Sequence, residues 1–461
     1  MQRLLAIAWL TVKAALRFRL LYVMGVLLLL AVAVLPAVIK HDGTAHGFTQ
    51  ITLTYTLGSA TVLLGFVTLW LGCGTLAREV EEGQLQMVDA KPVARWQVWA
   101  GKWLGIMALN AVLLGLTAGS VYGLLLWRAR QLPTKPVDQR AVLFNEVLVA
   151  RASAREEKVD VEGQVERAIQ KAKERGLPPD VNEAVLRELE RERIVAGAQL
   201  VPSGSLRRWR VGLGAARHQV RGQPLHLRFR FHAAERAPTG GYRVVWDIGP
   251  LDKARFRYAL PDAVAGSFHE VTLPPGLLDE RGVLTVDCSN LSGIVLAFPL
   301  EDGLEVLYRE SSFAVNLFRA LLVVLLWLGL LAAIGLAAGG GLSFPVAAFV
   351  ALSLLFMALS SGTLASTIEQ GGLSESNHET GELRRSWVDV VAIPVFRVLL
   401  RVINLAEGFS PIASLSTGRS VTWGEVARAF GQVGLILTGT FAMAGIWVFS
   451  RRELATAQGK A

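Results

Sequence analysis

The amino-acid sequence predicts an α-helical polytopic membrane protein of six transmembrane helices, joined to an α+β extracytoplasmic domain. Three observations carry that prediction. Of the 461 residues 52% are hydrophobic and the mean hydropathy is +0.42, too apolar for an ordinary soluble domain. Six apolar runs (Leu20 to Ile39, Ile51 to Leu76, Trp103 to Trp127, Phe313 to Ala338, Phe344 to Ala365, Val433 to Phe449) stand in the chain. Each approaches the roughly 20 residues that carry a helix across about 30 Å of hydrocarbon. Between the third and fourth runs lies a long polar stretch whose patterning changes from helical to alternating.

The first element, residues 1–19, is amphipathic. Leu4, Leu5, Ala8, Val12, Ala15 and Leu16 recur at helical spacing, and Arg3, Lys13, Arg17 and Arg19 supply charge. It reads as a cytoplasmic interfacial helix leading into a retained first span. A cleaved signal peptide is the competing reading, since Ala31-Val32-Ala33 resembles a cleavage site, but the stretch before the apolar run is too long for a signal n-region. Residues 20–127 then hold spans one to three, with a cytoplasmic loop over 77–102.

Lysine and arginine near the span ends set the orientation. Arg3, Lys13, Arg17 and Arg19 precede the first run, Arg78, Lys91, Arg95 and Lys102 lie between the second and third, and Arg451 and Arg452 follow the sixth. With six spans these groups share one side, and the opposite loop Lys40 to Gln50 holds one lysine. Both termini are therefore expected in the cytoplasm of a bacterium, the chain being a multi-pass protein of the inner membrane with a short tail over 450–461.

The orientation puts residues 128–312 outside. Residues 140–200 are rich in Ala, Glu, Arg and Val and are interrupted at Gly176-Leu177-Pro178-Pro179, which predicts a helical hairpin. Over 211–310 the pattern alternates: Leu225, Leu227, Phe229 and Phe231 face one way, His226, Arg228, Arg230 and His232 the other. Further strands are expected at Tyr242 to Ile248, Arg255 to Ala259, Phe268 to Leu273, Gly282 to Cys288 and Gly293 to Phe298. Short strands at this spacing argue an antiparallel β-sandwich or jelly roll. Such a module is either structural or a binding domain for a substrate or envelope partner, the latter on the strength of Trp209 and Trp246 read as exposed aromatics.

Residues 313–365 hold spans four and five, 366–432 an outer loop and 433–449 span six. Within the loop, 387–405 is apolar on one side but carries Arg397 and Arg401 four apart, and Pro394 interrupts it. A central arginine costs about 2.5–3.5 kcal/mol even on lenient insertion scales. An interfacial or re-entrant helix avoids most of that cost, with the two arginines lining an exit or meeting lipid phosphates.

No constellation for catalysis is present in the sequence. Gly101-Lys102 lacks the preceding glycine and following hydroxyl of a phosphate loop, and Gly-x-Ser-x-Gly is absent. The seven histidines show no zinc-ligand spacing, and Cys73 and Cys288 are not expected to pair. The net charge of +9 comes without aromatics interleaved among the basic residues, so nucleic acid is not an expected partner. The chain is expected to be no enzyme and to hold no cofactor or metal of its own.

The loop over 77–102 remains. Glu79, Glu81 and Glu82 stand where span two emerges, Gly83 permits a sharp turn, Pro92 fixes the backbone ahead of Arg95 and Trp96, and Lys102 is placed to snorkel toward headgroups. Physics alone allows a solvated loop or a docking surface. The order Glu79, Glu82-Gly83, Lys91-Pro92-Val93 with Arg95, then Gly101-Lys102, resembles the first cytoplasmic loop of ABC transporter permeases of the type 2 exporter family. The N-terminal helix, the six spans and the closing Phe449-Ser450-Arg451-Arg452-Glu453-Leu454 resemble it too.

That resemblance implies a permease subunit, a homodimer or a heterodimer with a similar permease, docked on two separate cytoplasmic ATPase subunits. Glu79, Glu82, Gly83 and Arg95 are the positions carried over in an ATPase-coupling role, and ATP and magnesium belong to the partner. The large extracytoplasmic insertion departs from compact exporters. It leaves open export of an unknown substrate, ATPase-driven mechanotransmission or scaffolding without flux, and a membrane-anchored receptor.

Overall fold

The computed structural model describes residues 2–17, 19–39, 45–83, 93–131, 143–157, 160–174, 183–218, 220, 222–235, 241–300, 302–359, 400, 409 and 411–452. The chain divides into two compact units, Met1–Ala150 with Ser312–Ala461, and Arg151–Ser311. The first is helical and the second mainly β.

In the helical unit, α1 (Gln2–Arg17) and α2 (Arg19–Val38) are followed by α3 (Ala45–Thr52), a π-helical turn Leu53–Leu57, α4 (Gly58–Glu81) and α5 (Arg95–Gln131). Four helices among the described residues are long and apolar enough to cross a membrane: Gly47–Glu81, Arg95–Gln131, Phe313–Gly341 and Trp423–Arg451. The first expected span joins them only as part of a pair, since Gln2–Arg17 and Tyr22–Pro36 are bent by 75°. The fifth expected span is a shorter apolar helix starting at Phe344. Arg397, Arg401 and the stretch 387–405, apart from residue 400, lie outside the described residues.

Two span starts differ most from expectation. The third helix begins at Arg95 rather than Trp103, so Arg95 to Lys102, read as loop, is continuous with the span. The last begins at Trp423 rather than Val433 because Thr422 and Glu425 form a capping box, Glu425 N–H donating to Thr422 Oγ1 at 3.1 Å and Thr422 N–H to Glu425 Oε2 at 2.9 Å. Counting only apolar residues passes over a polar first turn of that kind.

Small residues hold this unit together. The helices α8 (Phe313–Gly341) and α4 cross so closely that a Cβ at Gly339 would stand 2.5 Å from Cys73 O, and one at Gly335 2.7 Å from Leu69 O. Lipid tails are as apolar as leucine, so helices in a bilayer associate through such close backbone packing rather than through a hydrophobic drive. The same device seats α1 on α5: a Cβ at Gly105 would meet Ala8 O at 2.7 Å, and one at Gly101 would meet Ile7 Cβ at 2.8 Å. The helix expected to lie free at an interface is thus packed along the first turns of the third apolar helix.

At the N-terminal end of α8 a polar clamp fixes the approach to the last helix. Asn316 donates to Arg419 O at 2.7 Å and accepts from Val421 N–H at 2.7 Å, while Arg319 donates to Val421 O at 3.2 Å and lies over the Trp423 ring. The segment held this way runs from α10 (Pro411–Ser416) into α11 (Trp423–Ala429), a π-helical stretch and α12 (Thr438–Arg451), with α9 (Phe344–Leu359) preceding them in the chain.

The β unit is a sandwich. One sheet has the order β1 (Val149–Ala154), β11 (Leu304–Ser312), β4 (Leu225–Phe229), β8 (His269–Leu273), and the other β3 (Leu206–Gly212), β9 (Val283–Asn290), β6 (Tyr242–Ile248), β7 (Phe256–Ala263). Short strands β2 (Leu200–Val201), β10 (Leu296–Ala297) and β5 (His232–Ala233) pair in a third sheet. The helices α6 (Val161–Glu174) and α7 (Glu183–Gln199) form the expected hairpin, inserted between β1 and β3. Strand β1 was not foreseen, because Val149 to Ala154 reads VARASA, alanine-rich and without a clean alternation of polarity.

Both large sheets contribute to one core, in which Trp246 and Trp209 are buried, at 0% and 4% exposure. This corrects their reading as exposed aromatics: each is in phase with an inward neighbour, Trp209 with Val211 and Trp246 with Val244 and Ile248. Their rings stand 5.9 Å apart, and Phe229 lies 4.4 Å from Trp246. His226 and His232 do not share a face, since β4 and β5 belong to different sheets. Cys288 is in this core and far from pairing chemistry, burial pushing its thiol well above the usual range.

Charge is sorted on the other faces of the two sheets. Asp287 is 1% exposed and accepts from Arg208 at 2.7 and 2.8 Å and from Arg255 at 2.8 Å. Burial alone would raise its carboxyl, but those hydrogen bonds and charges outweigh it and hold the group below the usual carboxylate range. On the opposite sheet Arg151 pairs with Glu270, and His226 Nδ1 lies 3.5 Å from the same carboxylate. Burial lowers the His226 imidazole, with Arg151 reinforcing and Glu270 opposing.

Candidate functional site

The residues singled out by sequence gather at one end of the helical unit. Glu79 lies in the last turn of α4, and the chain leaves that helix through Glu82 and Gly83. Gly83 has φ +71°, the left-handed conformation that closes a helix and that a side chain disfavours. Its N–H donates to Val80 O at 3.2 Å, and Glu82 N–H donates to Arg78 O at 2.8 Å. Residues 84–92, including Lys91 and Pro92, lie outside the described residues.

Glu79 is wired inward. Lys102, one helix away on α5, is 4% exposed and places its Nζ 2.6 Å from Glu79 Oε1 and 3.2 Å from Thr75 O. Lys102 therefore does not snorkel to headgroups; a carboxylate and a helix carbonyl satisfy it inside the bundle. A buried pair of this type fixes register between two helices because either charge alone would be left without compensation.

Arg95, at the other end of the loop, is engaged with the far end of the chain. Its Nη1 donates to Phe449 O at 2.9 Å, Ser450 O at 3.1 Å and Arg452 O at 2.8 Å, at the C-terminus of α12. Those carbonyls have no intrahelical donor, and they carry the negative end of the helix dipole, so a guanidinium suits the place. Arg452 in turn donates to Gly340 O at 3.2 Å, near the end of α8. Glu81 accepts from Phe344 N–H at 2.9 Å at the start of α9, and Arg78 lies over the Phe344 ring at 4.3 Å.

The arrangement joins five helices, α4, α5, α8, α9 and α12, through side chains at both ends of one loop. Sequence reasoning placed Glu79, Glu82, Gly83 and Arg95 there and named Glu81, Lys102 and Arg452 nearby, but it did not give the contacts that Thr75, Glu81, Lys102 and Arg452 make. Gly101-Lys102 was visible as a motif; its pairing with a carboxylate 23 positions away was not. Glu82 is exposed and Gly83 half-buried, so the turn itself faces outward from the knot.

Chemically the junction is a set of charge and carbonyl contacts between helices. Among the described residues no cluster of three or more His, Cys, Asp or Glu could hold a metal ion. Among the described residues of the junction no nucleophile stands beside a base, and the Glu79 and Glu81 carboxylates are engaged by Lys102 and the Phe344 N–H.

No curated protein matches the chain. Residues 5–144, which run from α1 past the end of α5 and include both ends of the junction loop, match the family model described as ABC-2 family transporter protein. Over this segment the chain is similar to the ABC-2 family of transporter membrane proteins.

Proposed function

We propose that the protein is the permease subunit of an ATP-binding cassette exporter, coupling ATP hydrolysis by separate cytoplasmic ATPase subunits to movement of a substrate. The observation that carries this reading is the junction loop. Its outward turn, Glu82-Gly83, offers a surface to a partner, while Glu79 and Arg95 tie its two ends to different helices. A push on the turn would be passed to α5 through Lys102 and to the C-terminus of α12 through Arg95. Coupling of this kind is a free energy shared between sites, with the chemistry done in another chain. ATP and magnesium belong to that chain.

In this reading the subunit sits in a bacterial inner membrane as a dimer, both termini and the junction loop face the cytoplasm, and the β unit is extracytoplasmic. The strand orders β1-β11-β4-β8 and β3-β9-β6-β7 support a jelly roll for that unit. A separate, compact β unit also favours a second reading, in which the ATPase moves that unit and nothing crosses the membrane. Flux into inside-out vesicles separates the two, since only an exporter accumulates substrate in an ATP-dependent way. A receptor needing no ATPase is the third, and it predicts that Glu82→Lys leaves function intact.

A further inference from the structure

We propose that the β unit carries a binding site for a small zwitterion, a group bearing one cation and one anion, in the cavity at one end of its sandwich. The register brings three connections to that end. Leu225 pairs with Leu273, Gly212 with Val283 and Ile248 with Val286, so the chain between β3 and β4, between β6 and β7, and between β8 and β9 turns at the same edge of the two sheets. Between these turns lies a cavity of about 240 Å³.

Among the described residues four charged side chains line it, Arg217, Lys253, Asp279 and Glu280. A lone anion entering meets two carboxylates, and a lone cation meets two basic groups, so each is disfavoured by its like-charged neighbours. A ligand with both signs satisfies both pairs. Gln223 adds a third requirement: it lines the cavity, and its Oε1 is buried with no hydrogen-bond partner among the described residues. An orphaned acceptor at a cavity wall calls for a donor from the occupant. An ammonium supplies one and an acid group does not.

The walls set the size. Val220 and Leu225 are buried, and Leu278 is half-buried, giving an apolar side that accepts a short alkyl part. Gly282, at φ +79°, lets the Arg217 stem pass, since a Cβ there would stand 2.7 Å from Arg217 Cβ. At about 30 Å³ per water the space equals about eight waters, so the occupant has roughly eight to ten non-hydrogen atoms. An amino acid, a dipeptide or a phosphoethanolamine headgroup fits these terms. The site lies wholly within the β unit and does not depend on the side of the membrane or on an ATPase.

The test is equilibrium binding to the full-length protein in nanodiscs of phosphatidylglycerol alone, with alanyl-glycine and phosphoethanolamine as probes and propionate and ethylammonium as single-charge controls. Saturable binding of at least one zwitterion at about 1 mM or tighter is expected, with neither control binding at that level. Alanyl-glycine binding points to a peptide source and phosphoethanolamine binding to a lipid headgroup. Lys253→Ala and Glu280→Gln, both at exposed positions, should each weaken binding about tenfold with an unchanged melting temperature, and Gln223→Leu should do the same. Binding of the controls as tightly as the zwitterions, no binding of either zwitterion, or indifference to all three substitutions overturns the proposal.

Discussion

Replacing Glu79 by glutamine tests the junction at the pair that holds its buried lysine. The shape of the side chain is kept, but the ammonium of Lys102, 4% exposed, is left with neutral acceptors only. Breaking a fully buried ion pair costs about 3–5 kcal/mol. The Glu79 side chain is 33% exposed, so water screens part of the interaction, and about 2–3 kcal/mol is the expected loss of stability. Lys102→Met is not the mirror image. It removes the charge that burial penalises and leaves Glu79 able to turn to solvent, so it should cost about 1 kcal/mol or less. The double variant should then match Lys102→Met alone. Thermal and denaturant unfolding of the four proteins in one detergent measures the cycle. Equal costs for the two single variants, or additivity within about 0.5 kcal/mol, would refute a buried strut between α4 and α5.

Three further outcomes follow from the same geometry. Arg95→Ala should destabilise the protein by about 1–2 kcal/mol, and Arg95→Lys should restore only part of it, because one ammonium does not reproduce the guanidinium's contacts with three carbonyls; unfolding midpoints check both. Gly339→Ala should cost about 1–3 kcal/mol by forcing α4 and α8 apart, whereas Gly119→Ala, with nothing within 4 Å, should be close to neutral, as read from folded yield after solubilisation. In the β unit Asp287 and His226 both have lowered pKa values, so the unfolded chain binds more protons than the folded one at acid pH, and their contributions are present above the unfolded pKa values and lost as pH falls. Melting temperature should therefore drop on acidification below about pH 6.5 and again below about pH 4, and His226→Gln should flatten only the first step.

Much of the helical unit was legible because bilayer thickness imposes one length on every span, and the apolar runs show it directly. Ends were harder, since Arg95 and Glu425 are polar residues inside helices, placed there by a C-terminal carbonyl cluster and a capping box. The alternation from Leu225 to Phe231 gave its inward face correctly, as did the run from Tyr242 to Ile248. What the chain does not print is pairing across long separations. Glu79 with Lys102, Arg95 with Phe449 and Asn316 with Arg419 each join segments that no periodicity connects, and so the internal half of the junction stayed hidden. Trp209 and Trp246 were misplaced for a different reason: aromatic residues were weighed as a class, and their phase with Val211 and Ile248 was not applied.

The central claim is that the turn at Glu82-Gly83 docks an ATPase. A cysteine at Glu82, an exposed position at the turn, can carry a photocrosslinker in the native membrane. The account predicts one dominant adduct, an ATPase with a phosphate-binding loop, lost when the crosslinker is moved to the β unit at Lys253. Crosslinking only to lipid, or to proteins with no nucleotide site, from membranes in which the protein is folded and abundant would contradict it.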